Sequence, residues 1–385
     1  MTNIMKFPAR RAISMRELIA VNKILLKSIF SGSDPSYSGD IQLRFQEEFL
    51  RWFGEVDGFM CPANSGTNAL YIALKSLDLP KDSVVHISPI TDPGSVSAVV
   101  ESGCRINIMD SESGSGQASI TSFEKRITPM SSAVLLVHHA GWAANNSIFH
   151  NVCRLRGLKL IEDFSQSHGA KSSGEYVGKQ CDISAASTMF SKTLTTGGCG
   201  GIVYTKNEDL YRKVLMHRDR GKPLSSKSLQ DLSCNLKDGN LSRLSALNHN
   251  LDDISAAIGC SSLSKLTYTI QKRRDLALTL RKCLDSMIYI PQNIEDSSPF
   301  VVPLTFPSHH SKKRAVFILK ENNIPHNPNY KYLVGSWEWI QPYLYGDNVT
   351  PNAVSYIENS IFLYLNERYK HYHMRNIADL INSTM

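Results

Sequence analysis

The sequence predicts an α/β fold, with a mostly parallel central sheet that carries helices on both faces and a smaller C-terminal α/β domain. Two observations predict it. From residue 59 to residue 204, short apolar runs of strand length alternate with segments of helical periodicity, a pattern typical of parallel sheets whose connecting helices cover both faces. The chain also has 385 residues, more than one hydrophobic core usually serves, so we expect a large and a small domain.

The composition is that of a folded globular chain, with 42% hydrophobic and 20% charged residues and no low-complexity tract. The formal charge of +7 arises from lysines and arginines that are scattered along the chain and form no basic run. An acidic small-molecule substrate accounts for this charge as well as a nucleic acid would. Because aromatic residues do not interleave with basic ones as in nucleic-acid-binding modules, we expect no nucleic-acid partner.

The N-terminal residues and the cysteines predict the compartment. Arg10, Arg16 and Lys23 interrupt the apolar stretch of the first 30 residues, so we expect neither a signal peptide nor a membrane span. The cysteines stand singly, without the CxxC or histidine spacing of a zinc site, so we expect reduced thiols, no metal and a cytoplasmic location. These cysteines are Cys61, Cys104, Cys153, Cys181, Cys199, Cys234, Cys260 and Cys283.

The first two predicted elements are helices. Ser14 is followed three residues later by Glu17, which has the form of a capping box, and apolar residues then recur at helical spacing as far as residue 30. A polar, turn-rich stretch over residues 31–40 separates this helix from a second amphipathic helix over residues 41–53.

The alternating region supplies the strands of the predicted sheet and the helices between them. In a parallel sheet, ligands bind beyond the carboxyl ends of the strands, so we expect a functional site in the loops that follow them. The predicted segments, strands and helices together, cover residues 68–77, 83–90, 96–101, 106–109, 133–137, 148–156, 158–162 and 201–204.

The C-terminal part contains a predicted long helix over residues 254–284 and a predicted strand over residues 300–306. A polar stretch rich in serine and asparagine precedes the helix and ends near residue 250. We therefore divide the chain into a large domain at residues 1–250 and a small domain at residues 251–385.

Three loops contain residues that could bind a ligand or take part in catalysis. The first contains Ser65, Gly66 and Thr67 ahead of a predicted helix. A glycine between two hydroxyl residues lets backbone N–H groups approach an anion at the positive end of the helix, which predicts a phosphate cradle. An ordinary N-cap by Ser65 or Thr67 explains the same residues.

The second loop begins with Asp163, directly after the predicted strand over residues 158–162. A carboxylate at the carboxyl end of a strand can pair with a pyridine nitrogen and keep it protonated, which makes the ring an acceptor of electrons. The alternative is that Asp163 only caps the turn that follows the strand.

The third loop, over residues 187–201, is rich in glycine and hydroxyl residues and contains Lys192. Such a turn can hold a lysine beside a cofactor aldehyde, and desolvation can lower the pKa of its amine as Schiff-base chemistry requires. The alternative is a solvated surface lysine, which is the commoner situation of this residue type.

The order of phosphate turn, acid and lysine resembles that of fold-type I pyridoxal-phosphate enzymes. More closely, the chain resembles the DegT/DnrJ/EryC1/StrS family of sugar aminotransferases from about residue 14 to residue 284. The segments that carry this resemblance are Ser65-Gly66-Thr67, Glu162-Asp163, His168-Gly169-Ala170, Ser187, Lys192, Gly200-Gly201, His217-Arg218-Asp219 and Asn248.

The resemblance implies that residues 1–250 bind pyridoxal 5'-phosphate as a Schiff base on Lys192. It also implies a homodimer with shared active sites, in which each subunit completes the site of the other. The remaining contacts would be Ser65, Gly66, Thr67 and Ser187 to the cofactor phosphate, Asp163 to the pyridine nitrogen, Gln166 to the phenolic oxygen, and Asn248 to the phosphate from the neighbouring subunit.

The activity implied by the resemblance is transfer of an amino group, from a donor such as glutamate, to a keto-sugar linked to a nucleotide. Amino sugars of this kind serve O-antigen or polysaccharide synthesis. Lys192 would move the proton between the cofactor and the substrate carbon. Two alternatives are a pyridoxal-phosphate sugar dehydratase, whose relatives have histidine in place of the lysine, and a non-catalytic regulatory relative with the same fold.

Some positions depart from the family pattern. Asp92 stands where an aromatic residue usually covers the cofactor ring, so the sequence does not identify which residue stacks on that ring. The usual Glu-Gly-Gly is replaced by a sequence one residue longer, Gly198-Cys199-Gly200-Gly201, and the usual Asn-Tyr-Arg by Asn248-His249-Asn250. His138 and His139 end a predicted strand nearby, and we expect them to be hydrogen-bonded loop histidines that take no part in catalysis.

Overall fold

The computed structural model describes residues 7–10, 12–37, 39–222 and 242–385. The helices are α1 (Met15–Ser31), α2 (Asp40–Trp52), α3 (Gly66–Ser76), α4 (Pro93–Glu101), α5 (Ile120–Arg126), α6 (Asn146–Arg156), α7 (Glu208–Arg218), α8 (Asp253–Leu263), α9 (Leu266–Cys283), α10 (His309–Glu321), α11 (Pro351–Asn359) and α12 (His371–Asn382). The strands are β1 (Phe59–Ala63), β2 (Val84–Ile87), β3 (Arg105–Ile108), β4 (Ser131–Val137), β5 (Lys159–Asp163), β6 (Lys171–Ser172), β7 (Glu175–Tyr176), β8 (Ile183–Ser187), β9 (Gly201–Thr205), β10 (Val301–Thr305), β11 (His326–Asn327) and β12 (Ser360–Tyr364).

The central sheet has seven strands in the order β1-β9-β8-β5-β4-β2-β3. The pairs from β8 to β3 are parallel, whereas β9 is antiparallel to both of its neighbours, β1 and β8. The carboxyl ends of β1, β2, β4, β5 and β8 therefore lie at one edge of the sheet, and the amino end of β9 joins them. The predicted mostly parallel sheet is confirmed.

Helices cover both faces of this sheet because successive side chains of a strand point to opposite faces. In β4, Ala133 and Leu135 belong to the core that α3, α4 and α7 form on one face. The side chains between and beyond them, Val134 and Leu136, pack on the other face with Phe123 of α5 and with α6. Further along that second face, α2 and α8 cover β8 and β9.

A second, smaller sheet lies in the C-terminal part, with antiparallel strands in the order β10-β12-β11. Its core combines these strands with α9, α10, α11 and α12. The smaller C-terminal α/β unit is therefore present, while the boundary after residue 250 stays a prediction. Helix α8, beyond that boundary, packs on α2 in the core of the first sheet.

The predicted capping box at the start of α1 is confirmed. The Ser14 hydroxyl accepts a hydrogen bond from the Arg16 backbone N–H at 3.3 Å, and the Ser14 N–H donates to Glu17 Oε2 at 2.7 Å. Gly32, in the left-handed conformation, ends the helix.

The prediction of one long helix over residues 254–284 is wrong, because α8 and α9 are separate helices. At the junction, the Lys265 N–H donates to the Ser262 carbonyl, three residues back, in place of the four-residue helical bond. Lys265 Nζ bonds Glu17 Oε1 at 2.6 Å and the Ala12 carbonyl at 3.0 Å. A tertiary contact that hydrophobic periodicity cannot reveal thus occupies the junction between the two helices.

The cysteines in the described ranges are free thiols, while Cys234 lies outside those ranges. Among the helices of the described residues, none has both the length and the apolar character needed to cross a lipid bilayer.

Candidate active site

One cavity lies at the edge of the sheet where the carboxyl ends of the parallel strands meet. The loops after β1, β5 and β8 reach it, as the topology of a parallel sheet requires. The cavity brings together most of the residues that the sequence predicts as site residues, and these are Ser65, Gly66, Thr67, Asp163, Gln166, Ser187 and Lys192.

The predicted phosphate turn forms the N-terminus of α3. The Ser65 hydroxyl caps the helix by accepting a hydrogen bond from the Asn68 N–H at 3.1 Å, so the N-cap interpretation is correct for this side chain. The first N–H groups of a helix have no partner within it and can bind an anion. A Cβ atom on Gly66 would lie 2.8 Å from the Ser187 Cα, so only glycine allows α3 to approach the end of β8 this closely. The N-cap interpretation of the turn is therefore confirmed, while the phosphate cradle stays a prediction.

Asp163 is held in one orientation at the end of β5. Its side chain is 2% exposed, and Oδ2 accepts a hydrogen bond from the Ser95 hydroxyl at 2.8 Å while Oδ1 accepts one from the Ser165 N–H at 2.9 Å. Ser95 in turn accepts a hydrogen bond from the Thr91 hydroxyl at 2.9 Å. Donors from α4 and from the loop after β5 thus fix the carboxylate on the cavity wall.

Lys192 lines the same cavity and is partly buried. Burial lowers the pKa of its amine, and the negative charges of Asp163 and Asp92 offset part of that effect. The Nζ atom lies 4.7 Å from the centroid of the Phe300 ring, within the range of a cation–π contact. This environment differs from that of a solvated surface lysine.

The loop that carries Lys192 is braced by its own backbone. The Thr188 N–H donates to the Gly200 carbonyl at 2.8 Å, and the Thr196 N–H donates to the Thr188 carbonyl at 2.8 Å. The Phe190 N–H donates to the Gly198 carbonyl at 3.0 Å. These bonds close the loop across its base, so that the lysine projects from a fixed frame.

Gln166 is also fixed, because its side-chain oxygen accepts a hydrogen bond from the Ala140 N–H at 2.8 Å and its amide nitrogen donates to the Tyr330 hydroxyl at 3.4 Å. His138 is hydrogen-bonded as expected, with Nε2 at 2.9 Å from Glu162 Oε2 and Nδ1 accepting from the Ala144 N–H at 3.0 Å.

The same expectation is wrong for His139, whose ring nitrogens have no hydrogen-bond partner among the described residues. Its ring packs edge-on against Tyr330, Tyr356 and Phe362. Burial lowers its pKa to about 3, so the ring is neutral and acts as an aromatic core residue.

Asn248 lies outside the cavity. It is exposed, and its side-chain oxygen accepts hydrogen bonds from the N–H and the side-chain amide of Asn250, at 3.2 Å and 2.8 Å. Within one chain, the predicted contact between Asn248 and the cofactor phosphate is therefore not made.

Sequence reasoning did not identify Ser95, Ser165 and Phe300 as residues of this environment. Asp92 followed by Pro93 is a helix-start signal that could have found Ser95, because it places Ser95 in the first turn of α4. Phe300 comes from the C-terminal part and has no local signal. Asp92, noted as a departure from an aromatic residue, caps α4 by accepting from the Gly94 N–H at 2.9 Å and lines the cavity.

Comparison with known protein families gives a match over nearly the whole chain. A model of the DegT/DnrJ/EryC1/StrS aminotransferase family matches residues 25–382.

Among curated relatives, the chain is 28% identical to a GDP-perosamine synthase of Escherichia coli O157:H7 over 233 residues, which is 60% of each chain. That match spans less than two thirds of the relative's length. A UDP-4-amino-4,6-dideoxy-N-acetyl-beta-L-altrosamine transaminase of Campylobacter jejuni is 26% identical over 313 residues, or 79% of this chain and 78% of the relative.

Among solved structures, an aminotransferase from Psychrobacter cryohalolentis superposes with a TM-score of 0.87 at 23% identity and covers 98% of both chains. At this identity the likeness shows the fold, which is that of the fold-type I aminotransferases.

Proposed function

Because the chain belongs to the DegT/DnrJ/EryC1/StrS aminotransferase family, we propose that it uses pyridoxal 5'-phosphate to transfer an amino group, from a donor such as glutamate, to a nucleotide-linked keto-sugar. The names of the two curated relatives support this class of substrate, since one makes a GDP-linked amino sugar and the other is a transaminase of a UDP-linked one. The observation that carries the proposal is the placement of Lys192 and Asp163 on one cavity beside the N-terminus of α3.

The residues of the cavity fit pyridoxal phosphate. When bound, this cofactor supplies an aldehyde that takes up amines and a pyridine ring that accepts electrons. The N-terminus of α3, with Gly66 against Ser187, offers N–H and hydroxyl donors to a phosphate. Asp163, fixed by two donors, offers a carboxylate to a ring nitrogen, and Gln166 lies on the same wall.

Lys192 is suited both to holding the aldehyde and to moving a proton. Its lowered pKa leaves a larger fraction of the amine neutral near neutral pH than an exposed lysine has, and only the neutral amine is a nucleophile or a base. Once released, the amine would take a proton from one carbon and return it to another. The closed backbone of its loop would keep Nζ within reach of both.

We also propose that the protein acts as a homodimer with shared sites. Helix α1 exposes apolar side chains beside a groove of about 1040 Å³ between α1, α2 and α8, and exposed apolar patches of this kind mark association surfaces. The exposed position of Asn248 supports its predicted role in the neighbouring subunit's site. The exposed apolar residues of α1 are Met15, Leu18, Ile19, Leu25, Leu26, Ile29 and Phe30.

The cytoplasmic location stays a prediction.

The first test is the site of cofactor attachment. Protein loaded with pyridoxal phosphate is reduced with borohydride and digested, and the peptides are analysed by mass spectrometry. We expect the cofactor mass on Lys192, its loss in Lys192→Ala, and its retention in a control, Lys171→Ala. Attachment elsewhere, or none, overturns the proposal.

The second test identifies the reaction. A panel of nucleotide-linked keto-sugars is incubated with glutamate and with enzyme that contains pyridoxal phosphate, and the masses of the products are measured by mass spectrometry. A transaminase exchanges a carbonyl oxygen for an amine, whereas a dehydratase removes a ring hydroxyl without adding nitrogen and a regulatory relative leaves every sugar unchanged. The second and third outcomes each contradict the proposed activity.

A further inference from the structure

The N-terminal segment, residues 7–10, runs along the C-terminal unit. The Phe7 ring packs on the rings of Tyr369 and His373, at centroid distances of 5.7 Å and 5.3 Å. The Pro8 carbonyl accepts a hydrogen bond from Asn366 Nδ2 at 3.0 Å, and the Ala9 carbonyl accepts one from Arg368 Nη1 at 2.9 Å. The segment is thus attached to residues that follow β12.

Arg10, at the end of this segment, contacts the loop that carries Lys192. Its Nη1 atom donates to the carbonyls of Ser191 at 2.5 Å and Phe190 at 3.3 Å, and Nη2 donates to the carbonyl of Lys192 at 2.5 Å. One guanidinium therefore binds three consecutive carbonyls and fixes the orientation of the peptide groups on both sides of the Lys192 Cα. The planar fork of arginine is suited to this, because its donors are rigidly arranged.

The same part of the C-terminal unit also holds the residue beside the Lys192 amine. Arg273 pairs with Glu367 at 2.8 Å and donates to the Pro299 carbonyl at 3.1 Å, next to Phe300, whose ring lies against Lys192 Nζ. Burial raises the pKa of Glu367, but the positive charges of Arg273 and Arg10 outweigh it and leave that pKa lowered. One charged cluster thus supports both the backbone and the side chain of Lys192.

We propose that Arg10 is a positioning residue for Lys192, which fixes the carbonyls of residues 190–192 to the C-terminal unit and so directs the lysine amine into the cavity. The proposal rests on the proposed function of Lys192. The amine ends a four-carbon stem, so a small rotation of the backbone displaces Nζ by a larger distance. Misplacement of about 1 Å at a reacting atom can slow a reaction on the order of a hundredfold.

Two variants separate geometry from charge. Arg10→Lys keeps the positive charge but cannot bridge three carbonyls, whereas Arg10→Gln removes both the charge and the fork. The matched control is Arg154→Gln, an exposed arginine on α6 that does not line the cavity. Thermal unfolding of each variant checks that it is folded, and Arg10→Lys, the more conservative change, provides the test should Arg10→Gln fail to fold.

The first measurement is the rate at which pyridoxal phosphate becomes attached to Lys192, followed by borohydride quenching and peptide mass spectrometry. We expect both Arg10 variants to be slower by about tenfold or more, with the control unchanged. Equal rates at Lys192 in the wild type and Arg10→Lys overturn the proposal.

The second measurement uses cofactor-free protein and follows acetylation of Lys192 against pH, which reports the pKa of its amine. Burial lowers that pKa, so loosening the loop should hydrate Nζ and move the labelling midpoint to higher pH in both Arg10 variants. A shift in Arg10→Gln alone would mean that Arg10 acts through its charge, and would overturn the positioning role. Failure of the wild type to attach the cofactor at Lys192 would instead contradict the proposed function, and acetylation would still decide the role of Arg10.

Discussion

Lys192 lies among groups that act on its amine in opposite directions. Burial lowers its pKa, the carboxylates of Asp163 and Asp92 raise it, and the Phe300 ring stabilises the protonated form. Asp163 has a proposed partner in the cofactor ring, whereas Asp92 does not, so Asp92 is the group whose charge can be removed with the least disturbance of the site.

We expect Asp92→Asn to lower the pKa of Lys192 further. Asparagine still caps α4, so the substitution removes a negative charge that favours the protonated amine and leaves the backbone in place. The pH midpoint of Lys192 acetylation in cofactor-free protein should move to lower pH. Asp57→Asn, an exposed acidic residue in the bend before β1, is the control, and a midpoint that stays in place or rises would contradict the charge argument.

We expect Asp163→Asn to reduce kcat/KM for transamination on the order of a hundredfold, comparable with the loss of one preorganised electrostatic group at an active site. The amide can accept only through its single oxygen, so one of the bonds from Ser95 and Ser165 is also lost. Steady-state kinetics with glutamate measure the effect. Wild-type kinetics in a folded Asp163→Asn variant would remove this carboxylate from the mechanism.

The residues that the sequence predicts best are those placed by the ends of parallel strands. Asp163 and Ser187 end β5 and β8, and their chemistry is local to a loop. Arg10 and Phe300 could not be predicted in the same way. Each reaches Lys192 across more than a hundred residues of chain, and only the packing of the C-terminal unit brings them there.

At the scale of elements, the junction between α3 and β8 determines the shape of the phosphate cradle. We expect Gly66→Ala to destabilise the protein by about 1–3 kcal/mol, because the new methyl group meets the Ser187 backbone and must push α3 away. Denaturant unfolding measures the loss, and equilibrium dialysis should show weaker retention of pyridoxal phosphate. Gly198→Ala in the lysine loop is the control, since a Cβ there meets no atom within 4 Å. Equal effects of the two substitutions would contradict the close approach.

A second element contact, between α1 and the junction of α8 and α9, depends on Glu17. Burial acts to raise the pKa of this carboxyl, but hydrogen bonds from Lys265 and Ser14 outweigh it and lower the pKa to about 2. A depressed folded-state pKa stabilises the protein above the unfolded-state value of 4.5, and that contribution is lost as pH falls from 4.5 toward 2.

We therefore expect Glu17→Gln to be less stable than the wild type at neutral pH by about 1–3 kcal/mol, with the difference vanishing toward pH 2. Denaturant unfolding at several pH values measures it. A difference in the free energy of unfolding that is independent of pH would show that the charge of Glu17 contributes nothing to stability.

Periodicity predicted the amphipathic helices α1 and α2 well and the weakly hydrophobic elements poorly. β8 contains alanine and serine around a single isoleucine, so its sequence has no apolar run, although its strand is buried between β5 and β9. At the break between α8 and α9, Lys265 bonds Glu17, more than two hundred residues away, and a local pattern cannot contain such a contact.

At the scale of the whole molecule, α1 is an amphipathic helix whose apolar side chains face outward in a single chain. Phe30 is 83% exposed and Ile29 is 72% exposed. An exposed apolar surface of this kind is costly unless a second subunit covers it.

We expect the double substitution of Ile29→Glu and Phe30→Glu to convert a homodimer into monomers, because two charges would have to be buried at the interface. Sedimentation velocity at a fixed protein concentration measures the change. Val56→Glu, at a residue that is 94% exposed and does not line the groove beside α1, should leave the assembly intact. Unchanged sedimentation of the double variant would place the interface elsewhere.

The antiparallel strand β9 makes the lysine loop a hairpin that leaves the sheet at Ser187 and returns to it at the paired residue Gly201. Insertions or deletions within this hairpin change neither the register of the ladder nor the spacing of its two stems, since both are set by the strands. The number of residues between Lys192 and the sheet can therefore change while the strands that carry the loop stay paired as they are.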